Sequence, residues 1–164
     1  MRPANAKVKY QERCISTRDA GFVRFLLAFI ALLGFIAAGL ALREHYRTDA
    51  SPCSINERWD CGIVNHSPFA VMGGVPVAAI GMAGYVLMGA LALMRAYRLL
   101  LVLALGGLTF SIYLSHVEAH ILGVWCVYCV GSLVAISLLT LFTFGTIVVL
   151  GWKDGSATTA SGAK

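Results

Sequence analysis

Charge is what this chain has least of: 13 Lys and Arg and 8 Asp and Glu are spread over 164 residues, of which 59% are apolar. That scarcity excludes an ordinary soluble domain, and the abundance of aliphatic residues excludes a disordered chain. Only four prolines are present, so long stretches are free to run as unbroken helix. No internal repeat with a period of about 20 to 50 residues stands out, which removes solenoids and propellers. Once the apolar runs are assigned, too little chain is left for a separate soluble catalytic domain. The net charge of +5 does not point to nucleic acid either, because the basic residues flank the apolar runs and show no aromatic interleaving.

What is there is four apolar runs, which predict an all-α integral membrane protein, a bundle of four transmembrane helices. The first run covers residues 22–42, with no charge between Arg24 and Arg43, and has the length of a bilayer crossing. The second is uncharged from Ser67 to Met94, but Gly73, Gly74 and Pro76 interrupt it. Its crossing helix is therefore predicted to begin near Pro76 or Val77, with residues 67–73 along the membrane surface. The third covers residues 99–115 and forms an antiparallel hairpin with the second through Arg95, Ala96, Tyr97 and Arg98; the fourth runs over residues 124–150. A cleaved signal peptide is the rival for the first run, since Ala37, Gly39 and Ala41 lie near its end, but the uncharged stretch exceeds an ordinary signal core.

Lys and Arg sort by side in such a bundle. Arg2, Lys7, Lys9, Arg13, Arg18, Arg24, Arg95, Arg98, Lys153 and Lys164 fall on one side, and only Arg43, Arg47 and Arg58 on the other. The positive-inside bias places both termini in the cytoplasm. The expected layout is a cytoplasmic N-terminal segment (1–21), a membrane domain (22–152) with an exported loop over about 43–79, and a disordered Gly/Ser/Ala/Thr tail (153–164).

Four of the five cysteines form two pairs, Cys53 with Cys61 in the exported loop and Cys126 with Cys129 where the last run begins. Both pairs fall on the exported side, where bacteria make and keep disulfides. A Cys-x-x-Cys opening a helix holds its sulfurs one turn apart, with the helix dipole favouring the thiolate, so this pair can cycle between dithiol and disulfide. The loop pair admits two readings: a staple, which closes a short loop for ~2 to 3 kcal/mol, or one half of a relay in which a thiolate of one pair attacks the disulfide of the other. Zinc is a third use of four cysteines, but only one pair has the short spacing of a zinc knuckle, so no metal site is expected. Cys14, beside Arg13 and Arg18, reads as a spectator thiol.

The order Cys53, Cys61, Ser67, then Gly74-Val-Pro76 before the second span and Cys126-Val-Tyr-Cys129 before the last resembles the vitamin K epoxide reductase family. The stretch Tyr113-Leu-Ser-His-Val-Glu118 is similar to its bacterial members. The resemblance covers residues 22–150 and implies a redox-active centre in which Cys129 faces a quinone, Cys126 exchanges with Cys61, and Cys53 meets a soluble partner. That partner would be a periplasmic thioredoxin-like, DsbA-like disulfide oxidase, the acceptor a membrane quinone such as ubiquinone or menaquinone, and the location the bacterial inner membrane. The animal enzymes carry an Asn and a Tyr that bind the vitamin K oxygen; Val77 and Leu133 stand at those positions here, which disfavours epoxide reduction. The competing functions are a vitamin K quinone or epoxide reductase and a non-enzymatic membrane subunit whose disulfides only staple the loop.

A quinone site is expected between the helices beside Cys129. Its predicted lining is Ser67, Phe69, Val77, Gly81, Tyr85, Tyr113 and Leu133, with Met72, Ile80, Gly84 and Phe110 as further candidates and Ser67, His66 or a backbone N–H as the polar contact. Trp125 and Tyr128 fit an interfacial aromatic belt. His116 and His120 share a helix face and, with Glu118 on the other face of that turn, are candidates to deliver protons. Glu57, Arg58 and Asp60 read as a solvated face.

Overall fold

A computed structural model of the chain describes residues 4–48 and 52–161, with side chains between residues 21 and 149. Cys14 therefore lies outside the described side chains. Helix α1 (Ala4–His45) is followed by a short helix α2 (Cys61–Asn65), a 3-10 turn (Pro68–Ala70) and a two-stranded hairpin, β1 (Val71–Met72) with β2 (Val75–Pro76). Three long helices complete the chain: α3 (Val77–Leu93), α4 (Tyr97–Val117), which is prolonged by a π-helical turn (Glu118–Leu122), and α5 (Val127–Ser161).

Among the described residues, Gly21–His45, Tyr97–Leu122 and Val127–Val149 are long and apolar enough to cross a membrane, while Val77–Leu93 is apolar but has 17 residues. Helix α3 starts at Val77, where the sequence predicts a helix to begin, because Pro76 has no N–H to give and its φ of −58° suits the position before a helix. Residues 71–76 turn back on themselves as a hairpin, with Val71 opposite Pro76 and Met72 opposite Val75. Gly73 and Gly74, with φ of 59° and 81°, supply the two left-handed positions that a tight hairpin turn needs. Helix α5 continues to Ser161, past Lys153 where the sequence predicts a disordered tail. A helix already nucleated by an apolar segment propagates one bond per residue, so weak helix formers can follow it.

The bundle packs α1 against α3 and α5, and α4 against α5 and α3. Its core takes Leu27, Ile30, Ala31 and Ala38 from α1, Tyr85, Met88 and Ala92 from α3, Leu100 and Ala104 from α4, and Ala135, Ile136 and Leu139 from α5. Small residues let α1 and α3 approach closely, Ala38 beside Gly81 and Ala31 beside Gly89, the means by which helices associate in lipid. Gly34 is the tightest of these sites. A Cβ there would overlap the ring of Tyr85, whose hydroxyl hydrogen-bonds both the carbonyl (2.9 Å) and the hydroxyl (2.8 Å) of Ser132 on α5. Three helices are thereby joined through one ring. The hydroxyls of Ser137, Thr140 and Thr143 donate to carbonyls four residues back, so these polar groups are satisfied within α5.

The α3–α4 link is a Schellman turn. Ala96 N–H donates to the Leu91 carbonyl (3.0 Å) and Arg95 N–H to that of Ala92 (3.2 Å), with Arg95 itself left-handed at φ 59°.

Candidate redox site

The loop cysteines are joined: Cys53 and Cys61 form a disulfide with Cα atoms 5.6 Å apart, within the ordinary span. Between them the chain makes a tight turn, in which the Asn56 side chain accepts from the N–H groups of Arg58 (2.9 Å) and Trp59 (3.2 Å). Asp60 is not merely solvated, as its sequence context predicts. Its Oδ1 accepts the Ile63 N–H at 3.0 Å and caps α2, which starts at Cys61.

The loop is then tied to the second pair by backbone. Trp125 N–H donates to the Arg58 carbonyl (2.8 Å) and Asp60 N–H to the Trp125 carbonyl (3.1 Å), a parallel bridge centred on Trp59 and Trp125. Because Cys61 follows Asp60 and Cys126 follows Trp125, this bridge brings the two cysteines into one small core, both fully buried, with Cys53, Val64 and Val124. At the far side α2 is held to the end of α1: His45 Nδ1 meets the Asn65 carbonyl at 2.6 Å, and the His66 ring nitrogens meet the carbonyls of Gly62 (2.8 Å) and Arg47 (3.2 Å).

Cys126 and Cys129 are the free cysteines among the described side chains. Cys126 stands just before α5, and its Sγ accepts the Cys129 N–H at 3.4 Å, as a capping side chain would. It also receives a hydrogen bond from Asn65 Nδ2 at 3.6 Å, while the same amide donates to the Cys61 carbonyl at 2.9 Å. The Cys126 N–H donates to Glu118 Oε2 at 3.1 Å. The Cys129 thiol, hydrogen-bonded to the Cys126 sulfur, holds the Cys126 thiol below the ordinary thiol range; burial and the Glu118 carboxylate push the other way and are outweighed.

Beside Cys129 a cavity of about 280 Å³ opens between the helices. Of the seven residues predicted to line a ligand site, Ser67, Phe69, Val77, Gly81 and Tyr85 line this cavity, joined by Ile80, Gly84 and Phe110. Tyr113 and Leu133 do not. Tyr113 is 53% exposed on the outer face of α4, and Leu133 packs on the bundle core, because each stands at the wrong rotation on its helix. Met72 is likewise exposed on the hairpin. Ser67 lines the cavity, but its hydroxyl already donates to the Val64 carbonyl at 2.7 Å, and His66 is spent on the end of α1. Tyr128, predicted to belong to an interfacial belt, also lines the cavity. The polar wall comes from α4, where Ser111, Ser115 and Glu118 are spaced four and three residues apart on one face. The rings of His116 and His120 lie tilted at 45° to each other with centroids 4.4 Å apart, but both residues are exposed.

The arrangement suits thiol–disulfide exchange: a disulfide packed against a thiol whose pKa is lowered by its neighbour, and behind it a second thiol on an apolar cavity. Asn65 and Glu118 are the residues that sequence reasoning undervalued. Asn65 gave no signal beyond its place one turn after Cys61. Glu118 did, since it is the only charged residue between Arg98 and Lys153, and a carboxyl alone in so long an apolar stretch is a functional candidate by default. Comparison with curated proteins returns no match. The profile of the Vitamin K epoxide reductase family matches residues 25–144, which span both cysteine pairs and most of every apolar helix, and the chain belongs to that family.

Proposed function

We propose that this chain is a quinone-dependent thiol oxidoreductase that generates disulfides. Members of its family are oxidoreductases, and the observation that carries the finer reading is the packing of the Cys53–Cys61 disulfide against Cys126, with Cys129 on the cavity. Electrons would enter at Cys53 from a thioredoxin-like, DsbA-like disulfide oxidase in the periplasm. Cys53 is the outer of the loop pair, 6% exposed against 0% for Cys61. Cys61 would pass them to Cys126, and Cys129 would hand them to a membrane quinone, ubiquinone or menaquinone, that takes up two electrons and two protons. A potential gap of about 100 mV along this path supplies roughly 5 kcal/mol.

The chain would cross the bacterial inner membrane four times, with both termini cytoplasmic and the cysteine loop exported. Helix α3 is about 26 Å long at its rise per residue, somewhat less than a bilayer core. The apolar hairpin before it, exposed at Val71, Met72 and Val75, would complete the crossing. A cavity of this size takes a ring and leaves a prenyl tail to the lipid.

The test is quinone reduction by the purified protein, driven first by a small dithiol and then by a thioredoxin-like oxidase. Wild type should consume quinone with either donor, Cys129→Ala with neither, and Cys61→Ala should lose turnover with the protein donor. A wild type that never consumes quinone, with its loop disulfide intact throughout, returns the loop pair to the role of a staple.

A further inference from the structure

Cys126 Sγ accepts hydrogen bonds from the Cys129 N–H at 3.4 Å and from Asn65 Nδ2 at 3.6 Å where α5 begins, contacts that favour its thiolate and so disfavour a second proton on the reduced pair. Reducing a quinone to a quinol takes two protons. The structure offers one group to hold the missing proton. Glu118 is 2% exposed, the first residue of the π-helical turn that ends α4, and its carboxyl touches the inner pair from the cavity side. It accepts the backbone N–H of Cys126 at 3.1 Å and contacts the Cys129 thiol. Among the described residues, the titratable groups beside it are those two thiols, with Tyr85 and Tyr128 on the same cavity. No basic side chain pairs with it: the salt bridge among the described residues is Glu44 with Arg47, at the end of α1.

We propose that Glu118 is the proton carrier of the inner cysteine pair, storing the second proton whenever Cys126 and Cys129 are reduced and releasing it to the quinone. The inference rests on the quinone reading above and deepens it. The step balances as follows. Cys126 thiolate forms its bond to the Cys129 sulfur, and the electron pair passes to the quinone. One proton comes from Cys129 and one from Glu118, leaving a quinol, the Cys126–Cys129 disulfide and the Glu118 carboxylate. In the recharging step the loop dithiol gives up two electrons and two protons. The Cys53–Cys61 disulfide forms, Cys126 returns to thiolate, and Cys129 and Glu118 each regain a proton. The net charge of the site is the same before and after each step, as a cavity walled by apolar side chains requires. Ser115 and Ser111, one and two turns back along α4 on the same wall, place hydroxyls along the path from Glu118 into the cavity.

The test has two arms. Glu118→Gln keeps an oxygen to accept the Cys126 N–H but cannot carry a proton, and it should slow quinone reduction by about 100-fold. Glu118→Asp should restore part of the rate. Independently of turnover, infrared difference spectra of the wild type, with the inner pair reduced by a dithiol and then oxidised, should show a protonated-carboxyl stretch that rises on reduction and is absent from Glu118→Gln. A Glu118→Gln protein at the wild-type rate, or a wild-type spectrum without that band, overturns the proposal. If Glu118→Gln fails to fold, the wild-type spectrum decides. A wild type that shows the band but consumes no quinone keeps Glu118 as the carrier and removes the quinone reading alone.

Discussion

The two cysteine pairs are built in opposite ways. Cys53 and Cys61 are eight residues apart on a loop whose shape comes from short polar devices: the Asn56 turn, the Asp60 cap and a single backbone bridge to Trp125. Cys126 and Cys129 are three apart at the start of a helix that the whole bundle holds in place. A few exposed hydrogen bonds, each contributing about 1 kcal/mol, break and reform locally, whereas a packed helical core opens only at a cost near that of unfolding. Of the two, the loop is the part expected to open first. Under the proposed function, the pair that would meet both a soluble protein and a buried thiol sits on that loop, and the pair that would hold an acceptor at fixed geometry sits on the bundle.

Substitutions can break this contrast from either side. The largest expected effect is on the rigid side: Gly34→Val drives a side chain into the Tyr85 ring and takes its hydroxyl from Ser132, which should cost about 1 to 3 kcal/mol of overpacking together with the lost hydrogen bonds. Thermal unfolding in detergent measures it, and an unchanged midpoint would mean that the bundle repacks freely there. On the mobile side, Asp60→Ala should cost about 1 kcal/mol, read as faster amide exchange across residues 61–65 while α3 and α5 stay protected. Uniform loosening of all three would show that loop and bundle open as one unit.

The contrast also has a pH signature. The Cys126 thiol is held below the ordinary range by the Cys129 hydrogen bond, so its thiolate persists at pH values where a free cysteine, with a pKa of about 8.5, is protonated, and it is lost as the pH falls through the lowered value. Ultraviolet thiolate absorbance of the reduced pair, in a Cys14→Ser background, should titrate below a free thiol, and Cys129→Ala should move the midpoint upward. A midpoint indifferent to Cys129 would separate the two sulfurs. The smallest expected effect is Arg95→Gly, which relieves a left-handed non-glycine residue in the α3–α4 link and should stabilise the bundle by about 1 kcal/mol, leaving the loop unchanged.

Features carried by local pattern were legible in the sequence. The apolar helices follow from the scarcity of charge, the start of α3 from Gly73, Gly74 and Pro76, and the cysteine pairs from their spacing. Features that depend on how distant segments meet were not. Nothing local tells Gly34 that it faces Tyr85, or Arg58 and Asp60 that they will pair with Trp125. Tyr113 and Leu133 fall off the cavity for a related reason: a helix rotates each residue by a fixed angle, but composition does not say which face an all-apolar helix turns to the cavity. Glu118 was legible as an isolated charge, and its burial against Cys126 required the π-helical turn that no pattern announced.

The account stands on transfer between Cys61 and Cys126, and trapping it is the most direct measurement. In a protein carrying both Cys53→Ala and Cys129→Ala, each pair retains the one sulfur that exchange requires. Under mild oxidation the account expects a Cys61–Cys126 disulfide, identified by mass spectrometry of the linked peptides, in most of the folded protein. Two free thiols under those conditions, in a protein that keeps its helical fold, would contradict it.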